Sequence, residues 1–208
     1  MTRRPYRSRA RAEAAEETHR RILAAAGAVL RAKGAAGFSL ESVGREAGVT
    51  RLTVYNQFGS RRALLEAVFD ERAEAGGLFG IPGVMADPDP RAALRRLIAI
   101  FCGFWSSDPA VGSLQAAGAG DAEFETGLAE RNERRRGALG VLADRLGLSG
   151  EAQRDAVDLL FVLTSYRTFA ELAPGRSPEA VAALLQAAAE DVVRRAAPEP
   201  ATSSRTPR

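Results

Sequence analysis

Residues 48–62, Gly48-Val49-Thr50-Arg51-Leu52-Thr53-Val54-Tyr55-Asn56-Gln57-Phe58-Gly59-Ser60-Arg61-Arg62, leave the chain few ways to fold. They read as a tight turn, one short helix and the start of another. Thr50 carries a hydroxyl that can accept a backbone N–H two or three residues on, as a helix N-cap does. Gly59-Ser60 ends the short helix, and Ser60 can cap a following one that opens with Arg61-Arg62. Val54 and Phe58, four apart, share one face, with Leu52 and Tyr55 flanking it. Arg51, Thr53, Asn56 and Gln57, with the Tyr55 hydroxyl, are then left to point outward. Such a front matches what a DNA groove offers. Arg can grip guanine with two hydrogen bonds, Asn and Gln can grip adenine, and Thr or Tyr can reach phosphates.

The preceding residues agree with this reading. Ser39 can cap a helix from Leu40 to Ala47, which carries Leu40, Val43 and Ala47 at helical spacing. Gly44 provides the small side chain that lets two helices cross closely, Gly48 permits a left-handed turn, and Val49 plugs the corner. Two short helices joined by a turn of about three to four residues containing Gly make a helix-turn-helix, whose second helix enters the major groove. An ordinary helical hairpin inside a core is the competing reading of these residues taken alone.

The run from Phe38 through Leu65 resembles the DNA-binding region of the tetracycline-repressor (TetR) family. Its most telling piece is VTRLTVYNQFGSRRALL, similar to that family's recurring Val-Ser-x-x-Thr-Leu-Tyr-x-His-Phe-x-x-Lys-x-x-Leu. Gln57 stands where the family usually has His, Arg61 where Lys is frequent, and Leu52 where a small residue is common. The close resemblance spans about residues 18–70, and beyond it only length and helical layout agree. It implies phosphate contacts from Ser39, Thr50, Tyr55 and Arg61. Base reading would fall to Arg51, Thr53, Asn56 and Gln57, with Leu52 on the same DNA-facing surface.

Charge is distributed as a nucleic-acid reader requires. The 208 residues carry a net charge of only +3, yet residues 1–62 hold a net +8 and the remainder a net −5. A basic front and an acidic back direct nucleic acid to the N-terminal part. Residues 1–12, with Arg3, Arg4, Arg7, Arg9 and Arg11, read as a disordered basic arm that could lie along DNA. A single cysteine, Cys102, excludes an intrachain disulfide and agrees with a reducing cytoplasm. No signal-peptide pattern precedes Ile22, and the longest apolar runs fall far short of a membrane span. The expectation is a soluble cytoplasmic protein that contacts no membrane.

Along the chain, Ile22, Ala26, Val29 and Leu30 form an amphipathic stripe on a first helix from about Ala14 to Lys33. His19, the only histidine, reads as an exposed polar residue. A linking helix from Ser60 to about Ala75 turns Leu64, Leu65, Val68 and Phe69 inward. Domains are therefore expected over 13–75 (DNA-binding, with the linking helix) and 91–197 (helical ligand-binding and dimerisation), joined by a Gly/Pro-rich linker over 76–90. In the second domain helices are expected over Arg91–Trp105, Pro109–Ala119, Asp121–Leu146 and Glu151–Leu172, with a last one starting at Ser177. Arg131, Arg134, Arg135 and Arg136 read as a solvated face, with Glu130 and Arg134 paired one turn apart. Leu159-Leu160-Phe161-Val162-Leu163 is apolar around the whole helix and should be buried on several sides. The stripe Val181, Leu184, Leu185, Ala188, Val192 and Val193 needs a partner, which the same two helices of a second subunit would provide. Residues 198–208 read as a disordered tail.

Catalytic and metal chemistry are not expected. One His and one Cys offer no ligand set, and neither a phosphate-cradling glycine loop nor a nucleophile-elbow motif is present. No cofactor, metal or catalytic residue is assigned. Phe101, Phe104, Trp105, Phe161, Tyr166 and Phe169, with Gln115 and Arg167 as polar contacts, are candidates for a ligand pocket, and equally for core. The expectation is all-α: an N-terminal three-helix helix-turn-helix DNA-binding domain followed by a C-terminal helical ligand-binding and dimerisation domain. The resemblance implies a homodimeric regulator, a repressor released from a pseudo-palindromic operator by a small apolar or aromatic effector. A helical ligand-binding protein without DNA specificity, and a DNA-binding activator, stand as alternatives.

Overall fold

The computed structural model describes residues 4–117 and 122–197. Among these every long regular element is an α-helix: α1 (Arg4–Lys33), α2 (Leu40–Ala47), α3 (Arg51–Phe58), α4 (Arg61–Ala75), α5 (Ile81–Met85), α6 (Pro90–Ser107), α7 (Pro109–Ala117), α8 (Ala122–Arg145), α9 (Gly150–Leu163), α10 (Tyr166–Leu172) and α11 (Pro178–Ala196). They divide into two compact units, residues 1–78 with 104–131, and residues 79–103 with 132–208. No single helix among the described residues is long and apolar enough to cross a membrane.

The first unit is built on the stripe of α1. Ile22, Ala26, Val29 and Leu30 are buried, packed with Val43 and Ala47 of α2, Val54 of α3, and Leu64, Leu65, Val68 and Phe69 of α4. Phe104, Val111, Leu114 and Phe124 complete this core. A polar joint closes it at the start of α7. There Asp108 caps α7 by accepting the Ala110 N–H at 2.7 Å, and takes Arg31 of α1 at 2.8 Å and Arg72 of α4 at 3.1 Å. Gly27 leaves room for the second arginine, because a Cβ there would stand 2.7 Å from Arg72 Nη2.

In the second unit α11 lies along α9, burying Val181, Leu185, Ala189 and Val193 on one side and Ala156 and Leu160 on the other. Glu190 of α11 takes Arg91 and Arg95 of α6, and Gln186 donates to the Arg95 carbonyl at 2.9 Å.

Several expectations are corrected. α1 begins at Arg4 instead of near Ala14, so residues 4–12 are helical and not an unstructured arm. Their Arg and Ala content favours helix, and Arg9 bonds Glu13 one turn on at 3.0 Å. The segment expected as a linker holds a 3-10 turn, Leu78–Gly80, and α5, with Pro82 in the first turn, where its missing N–H costs nothing. The helix expected over Glu151–Leu172 breaks at Thr164-Ser165. The Thr164 hydroxyl donates back to the Leu160 carbonyl at 2.9 Å, while Ser165 accepts the Thr168 N–H and caps α10. Leu159 and Val162 are 53% and 58% exposed while Leu160 is fully buried, so α9 is not buried all round. Asp121, expected to open α8, and the tail over 198–208 lie outside the described residues.

Candidate nucleic-acid interface

The first unit carries a helix-turn-helix whose turn is fixed by backbone chemistry. Ser39 caps α2 through a reciprocal box: its hydroxyl accepts the Ser42 N–H at 3.0 Å while its own N–H donates to Ser42 Oγ at 2.9 Å. At the other end Gly48 takes a left-handed conformation (φ 65°), the Gly48 N–H reaches the Arg45 carbonyl and the Val49 N–H the Gly44 carbonyl at 2.9 Å. This is the Schellman ending, for which glycine is preferred. Gly44 is where the helices approach most closely: a Cβ there would lie 3.0 Å from the Val49 carbonyl oxygen and 3.3 Å from the Arg51 nitrogen. Thr50 caps α3, accepting the Thr53 N–H at 3.1 Å, and Ser60 caps α4 through the Ala63 N–H at 3.0 Å.

α3 presents the predicted polar front. Val54 is fully buried and Phe58 half-buried, whereas Arg51, Leu52, Tyr55 and Asn56 are exposed, Leu52 at 66%. Gln57 is half-buried. Thr53 is also half-buried, and its hydroxyl lies 2.9 Å from that of Thr50. Ser39 and Thr50 are exposed residues at the starts of α2 and α3. An exposed Arg, Tyr and Asn on one short helix, backed by a buried valine, form a protruding ridge of hydrogen-bonding groups.

Arg61 lies differently from the others. Its guanidinium turns back to the α1–α2 connection, donating to the Phe38 carbonyl at 3.1 Å and the Ala35 carbonyl at 3.3 Å, with the Phe38 ring 5.6 Å away. The side chain thus ties the start of α4 to the loop that leads into α2. His19 also departs from its expected exposure: it is half-buried and stacked on Phe58, ring centroids 4.4 Å apart, so α1 braces the end of α3.

The pocket candidates are split between the two units. Phe104 is fully buried in the first unit's core, with Trp105 packed against that core and Gln115 half-buried on α7. Phe101, Phe161, Tyr166, Arg167 and Phe169 belong to the second unit, where Phe101 and Phe169 are buried, Phe161 and Tyr166 half-buried and Arg167 exposed. Phe101 and Phe161 are brought to one buried group, Arg135, at 5.7 and 4.1 Å from their ring centroids.

Of the four arginines read as a solvated face, Arg134 is exposed as expected and the other three are not. Arg131 pairs with Asp70 at 3.1 Å and lies over Phe69, Arg136 pairs with Asp158, and Arg135 is buried. Among the described residues no ion pair joins Glu130 to Arg134. A run of arginines looks like surface in one dimension. The hint that one turns inward was its spacing of four from Leu139, itself fully buried.

Residues 22–68 match the model of the family described as bacterial regulatory proteins, tetR family. The chain is similar to the HTH-type transcriptional regulator EthR of Mycolicibacterium smegmatis, 29% identical over 202 residues, covering 89% of this chain and 90% of that protein. Among solved structures it shares the fold of a transcriptional regulator from Rhodococcus sp. Rha1 (TM-score 0.68, 16% identity, 88% and 99% of the two chains). It likewise shares the fold of a TetR-like transcriptional regulator from Rhodococcus sp. RHA1 (TM-score 0.65, 19% identity, 85% and 96%).

Proposed function

We propose that this chain, whose residues 22–68 match the tetR family of bacterial regulatory proteins, is a homodimeric, ligand-responsive repressor that reads a pseudo-palindromic operator through α3. The observation that carries this reading is the pairing of a fully buried Val54 with exposed Arg51, Tyr55 and Asn56 on one short helix. Arg51, Asn56 and Gln57 have the donors and acceptors for base edges. Thr53 has only what its hydroxyl can spare from Thr50, and Leu52 offers apolar contact to a thymine methyl. Ser39, Thr50 and Tyr55 serve phosphates. Arg61 acts through the loop it holds.

Dimerisation through α9 and α11 is supported by the apolar side chains these helices leave at the surface, Leu159, Val162 and Leu184. Two α3 helices related by a two-fold axis would enter major grooves about one helical turn apart, which makes an inverted repeat the natural operator. An effector held in the C-terminal unit and DNA held by the head would then weaken each other's binding by the same factor. Such a protein works in the cytoplasm, where the chromosome is.

The test compares two single variants on a selected operator and a scrambled duplex. Tyr55→Ala is expected to weaken both alike, and Asn56→Ala to weaken the operator far more than the scrambled duplex. Equal loss on both for Asn56→Ala would remove it from base reading.

A further inference from the structure

Among the described residues Arg135 is a buried cation without a counter-ion. The residue is 9% exposed. It donates to Thr164 Oγ1 at 3.3 Å and Asn132 Oδ1 at 3.2 Å, both neutral and both long. A guanidinium has five N–H donors, and the others find no acceptor among the described residues. No described carboxylate lies within ion-pair distance of it, although the adjacent Arg136 has Asp158. The group lies 4.1 Å from the ring centroid of Phe161, which Arg136 also approaches, and 5.7 Å from that of Phe101. Burial, and then the like charge of Arg136, push its pKa down to about 10, so near neutrality it keeps its charge. A charge held in an apolar setting with neutral partners is costly. The two aromatic faces offset part of that cost, and an arriving anion would offset the rest.

We propose that Arg135 anchors the carboxylate of a small amphiphilic ligand, a monocarboxylic acid whose hydrocarbon or aromatic body lies against Phe101 and Phe161. One guanidinium balances one negative charge and matches a carboxylate edge to edge. A phosphate monoester would bring nearly a second charge, for which the cluster supplies only Arg136, already paired to Asp158. The inference rests on the ligand-responsive reading above and narrows its effector to an acid.

Calorimetric titration of the purified full chain with two matched pairs tests it: decanoate against decanol, and phenylacetate against 2-phenylethanol. The wild type should bind at least one acid about tenfold or more tighter than its alcohol, the range of a charge-assisted hydrogen bond. Arg135→Met should abolish that preference while melting at or above the wild-type temperature, because an uncompensated charge has been removed. Arg135→Lys should keep part of the preference. No acid preference in either pair would overturn the proposal, as would a preference that survives Arg135→Met. Failure of Arg135→Met to fold would also count against it, since the protein itself would then be compensating the charge. Because the readout needs no DNA, failure to select an operator would strike the regulator reading alone. Operator selection without acid preference would strike this inference alone.

Discussion

Asp108 joins three helices of the DNA-binding unit through one carboxylate, and removing it should be costly. Its Oδ1 accepts the Ala110 N–H, and its Oδ2 accepts Arg31 and Arg72. The Asp108 side chain is 10% exposed and that of Arg72 18%. Arg72 Nε is buried without a hydrogen-bond partner, and besides Asp108 its guanidinium has only Glu71, at the longer distance of 3.3 Å. In Asp108→Ala the lost cap costs about 1 kcal/mol, and losing the shorter of the two carboxylate contacts of Arg72 about 2 kcal/mol. The Arg31 arm, 39% exposed, adds only about 0.5 kcal/mol after solvent screening. A total of about 3–4 kcal/mol lowers the melting temperature of a chain this size by about 10 °C. Asp108→Asn keeps an acceptor for the cap and should lose about half as much. Thermal and urea unfolding followed by circular dichroism, in the wild-type and Arg72→Met backgrounds, measures both the loss and the coupling. A loss under about 1 kcal/mol, or an equal loss in the two backgrounds, would refute the argument.

Arg61→Ala should lower stability by about 1–2 kcal/mol through two lost carbonyl contacts, read as a lower urea midpoint, with little change in the salt dependence of DNA binding. An unchanged midpoint with a salt slope reduced by about one charge would return Arg61 to phosphate duty. Leu159→Asp with Leu184→Asp should yield folded monomers in sedimentation equilibrium, and a persisting dimer would move the interface elsewhere. Burial pushes the Cys102 thiol from 9.0 up to about 11. The folded state holds this proton more tightly, so the group adds stability below pH 9 that drains away between about 9 and 11. At pH 8 native protein should resist iodoacetamide while urea-unfolded protein is fully labelled. Rapid native labelling would contradict the burial of Cys102 on α6.

The helix-turn-helix was legible because each of its parts has a local cause. Ser39, Thr50 and Ser60 cap, Gly48 turns, Gly44 admits the close crossing, and Val54 sits at the spacing that faces the core. What was missed depends on tertiary neighbours. The outward look of Arg61 on a helical wheel carries no knowledge that the Ala35 and Phe38 carbonyls lie within its reach. Likewise Arg135 sits in a run of arginines, and only folding turns it toward Phe101 and Phe161. The break at Thr164-Ser165 was readable, since both residues are strong cap formers, but the surrounding apolar run outweighed them. The exposed side of α9 could not be read as exposed, because an all-apolar segment has the same pattern whether its second face meets the core or another subunit.

The central claim is that α3 reads DNA sequence in a dimer. Selection of random duplex DNA on the purified chain, with a Tyr55→Ala, Asn56→Ala double variant alongside, tests it most directly. The account predicts enrichment of an inverted repeat, its half-sites about one helical turn apart, by the wild type alone. No enrichment by folded, dimeric wild-type protein, or the same repeat recovered by the double variant, would contradict it.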